Sequence, residues 1–136
     1  MAAESQKMVG KPALFDVHET EPDTSRPGGR SWIFQGARGV TIQYSEIFSK
    51  PESATHFHDY EQVIMITKGK ANFWCGEEFY ELSEGCFMVV PANVPHGIQQ
   101  RTDSEETLNV VEIFCPRAEE RPQSPKVSNA GHINWD

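Results

Sequence analysis

Between residues 31 and 114 the chain falls into short runs of alternating apolar and polar residues, separated by Gly, Pro, Asn and Ser. A period of two sets one side of an extended segment against a core and the other in water. The pattern predicts strands over 31–35, 40–48, 55–58, 62–67, 71–75, 78–82, 86–90, 94–99 and 107–114. Residues 40–48 are rich in β-branched and aromatic side chains, which suit a pleated surface. Lys50-Pro51-Glu52-Ser53, Lys68-Gly69-Lys70, Gly76-Glu77 and Ser83-Glu84-Gly85 read as turns, and Pro91 ends the run before it. No helical period persists over twelve residues. Many short strands with frequent turns predict an all-β sandwich or barrel.

The two ends lack this pattern. Residues 1–30 are polar, Pro27-Gly28-Gly29-Arg30 is loop material, and Ala13-Leu14-Phe15 is the one apolar anchor. His18, beside Glu19 and Glu21, reads as a solvated loop residue. After Pro116 the chain is too polar to add to a core, although Ile133 and Trp135 could dock on the barrel or a second subunit. The expected organisation of the 136 residues is one domain: an arm with the first strand over 1–35, a barrel over 36–116 and a tail over 117–136.

Charge and composition narrow the function classes. A formal net charge of −8 argues against a nucleic-acid partner. No run of eighteen apolar residues is present to span a membrane, and Met1-Ala-Ala-Glu-Ser-Gln-Lys has no apolar leader segment. Cys75, Cys86 and Cys115 are an odd number and read as reduced thiols, so the expected location is cytoplasmic.

The candidate chemistry lies in His56-Phe57-His58-Asp59-Tyr60-Glu61-Gln62. Two histidines at i and i+2 of an extended segment project to the same face, close enough to share a cation. Gln62 offers an amide oxygen, and His96, much later, a third imidazole. Such donors suit one divalent transition ion: Zn, Mn, Fe, Co or Ni. No cysteine falls at ligand spacing, which favours an open, working metal over a closed structural one. Glu61 competes with Gln62 for the third position, and spacing favours Gln62.

These residues resemble the two motifs of the cupin family. His56 and His58, three residues, Gln62, six residues and Gly69 follow the first; Gly85, five residues, Pro91, Ala92, Asn93, two residues and His96 follow the second. The resemblance spans residues 40–116 and implies a double-stranded β-helix, or jelly-roll barrel. It also implies a metal held by His56, His58, Gln62 and His96. Lys50 stands where the family starts its first motif with glycine, Asn93 replaces a glycine, Gln100 stands where Asn is common, and Gln62 replaces the usual Glu. Asn tolerates positive φ, so the change at 93 is mild.

The change at 62 carries chemistry. Three imidazoles and an amide leave a metal its full charge, which favours Lewis-acid carbonyl or enolate reactions: isomerisation, lysis, dehydration or cyclisation. A separate residue must then move protons. Glu112, in the apolar run Val110-Val111-Glu112-Ile113-Phe114, is the candidate, unless it faces solvent. The Glu112-Ile113-Phe114-Cys115-Pro116-Arg117 run is similar to that of small cupins that open unsaturated uronate rings. Similar Gln-containing sites occur in bacilysin-pathway isomerase cupins. This resemblance implies a functional acid at Glu112 and places Phe114, Arg117 and Gln100 on the substrate side, with Arg117 one residue early. Tyr44 and Glu46 share one face of their strand and are further proton-transfer candidates; Gln43 lies on the other face, and either face could line the pocket. The expected partner is a small oxygenated carbonyl compound. The alternatives are a metal-dependent dioxygenase and a non-catalytic ligand-binding cupin. A homodimer is also expected, with part of residues 11–35 in its interface, because bare sheet edges are usually covered.

Overall fold

The computed structural model describes residues 12–48, 55–101 and 105–126. Among these a 3-10 turn at Val17–Glu19 precedes eight strands: β1 (Gly29–Phe34), β2 (Thr41–Ile47), β3 (Glu61–Lys68), β4 (Lys70–Cys75), β5 (Glu78–Ser83), β6 (Phe87–Val90), β7 (His96–Gln100) and β8 (Leu108–Cys115). They form two antiparallel sheets, ordered β1-β2-β8-β3-β6 and β5-β4-β7. The all-β expectation holds, and eight of the nine expected runs are strands. The exception is 55–58, where His56 makes a single bridge to His96. Pairing goes no further because the His58 carbonyl accepts from the Asn93 N–H at 2.7 Å. Lys50 and the turn around it, Ile133 and Trp135 lie outside the described residues.

Register decides which side of each strand is inside. Ile33, Gln43, Glu112, Ile64 and Met88 form one row across the five-stranded sheet. By alternation, Thr41, Gln43 and Ser45 share the inner face with Val110, Glu112 and Phe114, and with Gln62, Ile64 and Ile66. Tyr44 and Glu46 take the outer face with Asn109 and Val111. The core between the sheets is Ile64, Ile66, Ala71, Phe73, Leu82, Val90, Leu108 and Val110. The polar inner residues Gln43, Gln62, Glu112, His96 and Gln100 all line the cavity beside it.

Two backbone features, one in the turn before β7 and one in β7 itself, position the region of the second motif. Asn93 has φ of 63°, the left-handed backbone expected of its place in a glycine position. Gly97 packs under Trp74, where a methyl group would overlap the indole ring.

Beyond β8 the chain returns along β1 and β2. The Ala118 N–H donates to Thr41 Oγ1 at 2.9 Å, and Gln35 Nε2 donates to the carbonyls of Ala118 and Arg121 at 2.9 and 2.7 Å. The Ile33 N–H donates to Ser124 Oγ at 2.8 Å. Ala118 and Ser124 are buried. Polar side chains thus hold this segment by hydrogen bonds, and Ala118 packs with Tyr60 and Phe114.

Candidate metal centre and the cavity around it

Two separate stretches bring the three histidines together. Reciprocal backbone hydrogen bonds of 3.0 and 2.9 Å tie His56 to His96, and the Asn93–His58 bond ties the turn before β7 to the same loop. Ring centroids lie 4.5 Å apart for His56 and His96, 4.9 Å for His58 and His96, and 5.9 Å for His56 and His58. One nitrogen from each ring lies within 4.8 Å of the other two, a spacing that suits one shared cation.

Hydrogen bonds dictate which nitrogens point inward. His96 Nδ1 is 2.9 Å from the Val94 carbonyl, and His58 Nδ1 is 2.9 Å from the Tyr60 carbonyl. A carbonyl only accepts, so Nδ1 donates in both rings and Nε2 carries the lone pair of the neutral form. His96 Nε2 is buried without a hydrogen-bond partner. Burial pushes the His96 pKa down, with smaller downward contributions from His56 and His58; the Val94 carbonyl opposes them.

Gln62 completes the group from β3, where it is buried while neighbouring Glu61 is exposed. Its Nε2 donates to Glu112 Oε2 at 2.5 Å, which turns Oε1 toward His58 Nε2 at 2.9 Å. Two acceptor atoms therefore face each other at contact distance, with the orphaned His96 Nε2 nearby. Lone pairs in that arrangement repel unless a cation lies between them. The donors present thus fit a divalent ion on a physical ground independent of motif spacing.

The centre opens into a cavity of about 520 Å³, within the range of small-molecule sites. Its lining includes Gln43, His56, Gln62, His96, Gln100 and Glu112. Glu112 faces inward. Burial pushes its carboxyl pKa above the ordinary value, and the fields of Arg121 and Arg26 offset part of that rise. Gln100 Nε2 donates to the Glu106 carbonyl, while Gln100 Oε1 is buried with no partner.

Other candidates lie elsewhere. Tyr44 does not line the cavity: its hydroxyl donates to Glu46 Oε2 at 3.1 Å and accepts from Asn109 Nδ2 at 3.0 Å, and its ring stacks on Trp32. Burial, then the Glu46 charge, pushes its pKa up to about 12. Glu46 touches the cavity, but its Oε1 accepts a hydrogen bond from Arg30 Nε at 2.7 Å. Phe114 is buried edge-on to His58, behind the centre. Arg117 is also outside the lining, because its Nη1 lies 2.8 Å from the carbonyls of both Gln35 and Ala37. Arg121, four residues on, does line the cavity, as do Arg26 and Arg30. Strand periodicity cannot reveal Arg121, because it sits in the irregular returning segment. Its cluster of charge and aromatic contacts is visible only once the segment has docked.

Comparison with known proteins agrees with this fold. Residues 47–114, half of the chain, match the family described as Cupin domain. Among solved structures, KdgF from Halomonas sp. is similar at 21% identity with a TM-score of 0.72, covering 81% of this chain and 98% of that one. An RmlC-like cupin from Shewanella frigidimarina is similar at 17% identity with a TM-score of 0.70, covering 81% of this chain and 96% of that one. Salicylate 1,2-dioxygenase from Pseudoaminobacter salicylatoxidans is similar at 19% identity with a TM-score of 0.61, covering 70% of this chain and 27% of that one. At these identities the likeness is one of fold. A search of curated protein sequences finds no match.

Proposed function

The chain belongs to the cupin family, and from that premise we propose that it is a metal-dependent enzyme acting on a small oxygenated carbonyl compound by isomerase, lyase, dehydratase or cyclase chemistry. The observation that carries this reading is the contact between Gln62 and Glu112, which joins a neutral donor of the candidate metal centre to an inward carboxyl. His56, His58, Gln62 and His96 would hold one divalent transition ion. When bound, the ion supplies Lewis acidity toward a carbonyl oxygen.

The protein's own residues do the rest. Gln62 adds no charge to the centre. Its amide hydrogen engages Glu112 Oε2, so Glu112 Oε1 is the oxygen that accepts and returns a substrate proton. Glu112 lies half-buried on the inner face of β8 beside the histidines, where a bound substrate would lie between its carboxyl and the solvent. Gln100 Oε1 is placed to accept from a substrate hydroxyl at the cavity wall.

The runner-up is oxygen chemistry, which three imidazoles also accommodate. Two measurements decide between them. Metal analysis of purified protein should find one divalent ion per chain, and turnover should be sought across 2-oxo acids, 1,2-diketones and unsaturated uronates. Product formation without oxygen uptake supports this reading. Oxygen consumption matching product gives the dioxygenase, and no metal with no turnover gives the binding module.

The homodimer belongs to the same proposal. Leu14, in the segment expected at the interface, is 93% exposed, and Phe87 and Val89 on the outer sheet face are 68% and 60% exposed. Light scattering at high micromolar concentration should give twice the chain mass; a monomer there would end the idea.

A further inference from the structure

The cavity has a second polar pole besides the histidines, and it is built by the segment that returns after β8. Arg121 enters from that segment with its guanidinium 4.2 Å over the Phe114 ring. Its Nη1 donates to Gln43 Oε1 at 2.9 Å, and its Nε lies 3.3 Å from the Tyr60 hydroxyl. That hydroxyl donates to Glu120 Oε2 at 2.6 Å, so Tyr60 and Glu120 set the angle of the arginine. Gln43 is opposite Glu112 in the sheet register, which puts the guanidinium over the same part of the inner wall as the carboxyl. Among the described residues, nothing accepts from Arg121 Nη2.

The charges around this pole do not cancel it. Glu120 is the nearest carboxylate, 3.9 Å from Arg121 Nε, but it is 63% exposed and screened by water, whereas Arg121 is 26% exposed. Arg30 and Glu46 pair with each other at 2.7 Å. Arg26 also lines the cavity. If the centre holds a divalent ion on neutral donors, as proposed above, then the ion, Arg121 and Arg26 face Asp23 and Glu112. The sum is positive within a chain whose overall formal charge is −8.

We propose that Arg121 forms an anion-binding subsite, oriented by Tyr60 and Glu120, that holds a carboxylate of the substrate. The class follows from shape. A guanidinium edge is planar and presents parallel N–H groups, which match the two oxygens of a carboxylate. The subsite rests on the proposed reading for its connection to catalysis, but its binding chemistry is testable without the metal.

The probes are pyruvate and its uncharged methyl ester, titrated into metal-free and zinc-loaded protein with binding read by ligand-observed NMR. Both forms should prefer pyruvate. Arg121→Met should weaken pyruvate by about tenfold or more in the metal-free protein, with methyl pyruvate little changed. Tyr60→Phe keeps the ring on His58 and removes only the hydroxyl, so it should weaken pyruvate by less and leave zinc content intact. Arg121→Lys should restore part of the loss. An unchanged pyruvate affinity in Arg121→Met overturns the subsite, and so does an equal loss for both probes, which would mark a structural role. Competition by inorganic phosphate as strong as that of pyruvate would overturn the carboxylate class. None of these outcomes alters metal content or the effect of replacing Glu112, so failure of the subsite is distinguishable from failure of the enzyme reading.

Discussion

Glu112→Gln is expected to lower turnover by about 10²–10⁴-fold on any active substrate, with metal content unchanged. The substitution preserves shape. The new amide oxygen can still accept from Gln62 Nε2, as Glu112 Oε2 does at 2.5 Å, so Gln62 keeps its orientation toward His58. What disappears is an atom that can take a proton from the substrate and give it back. Binding of substrate and metal should therefore change little while kcat falls, the sign of an interaction needed in the transition state. Steady-state kinetics with metal analysis on the same preparation checks this. Parental turnover in the variant would remove the acid–base role of Glu112. No other candidate then stands ready, because the Tyr44 hydroxyl is outside the cavity with its pKa at about 12 and Glu46 is bound to Arg30.

Gln62→Glu is expected to cost about 10²–10³-fold in rate while the protein keeps its metal or binds it more tightly. The reasons lie on both sides of the amide. Toward the histidines, a carboxylate replaces a neutral oxygen 2.9 Å from His58 Nε2 and cancels part of the charge that a developing negative oxygen would feel. Toward β8, the N–H that now meets Glu112 Oε2 is lost, and two carboxyl groups come into contact. Repulsion or proton sharing between them disturbs the residue assigned to proton transfer. Metal content and kcat should thus move in opposite directions. A variant that loses both metal and activity would instead show Gln62 acting as a packing residue, and one with parental kcat would remove the argument from neutral charge.

Much of this protein is legible from residue order because its determinants are local. A period of two and turn residues define strands whatever their partners, so the β1 to β8 runs stand out in the sequence. Asn93 is readable for the same reason: a left-handed turn position admits few residue types, and its φ of 63° confirms the need. His56, His58, Gln62 and His96 could be grouped because two spaced motifs carry them in register.

Tertiary structure decided the rest. Alternation says that Gln43 and Glu46 face opposite ways but not which way is in; pairing of β2 with β8 settles it, since Gln43 opposite Glu112 must share the inner face. The same pairing turned Tyr44 outward to Asn109. Arg117 and Arg121 lie in one polar, aperiodic stretch, and nothing in their order separates them. Their roles diverge because Ala118 and Ser124 anchor that stretch to Thr41 and Ile33, which leaves Arg117 on the backbone carbonyls of Gln35 and Ala37 and swings Arg121 over Phe114 into the cavity. Those anchors join residues 77 and 91 positions apart. Local propensity carries no information over such separations; only the closed fold brings the partners within hydrogen-bond range.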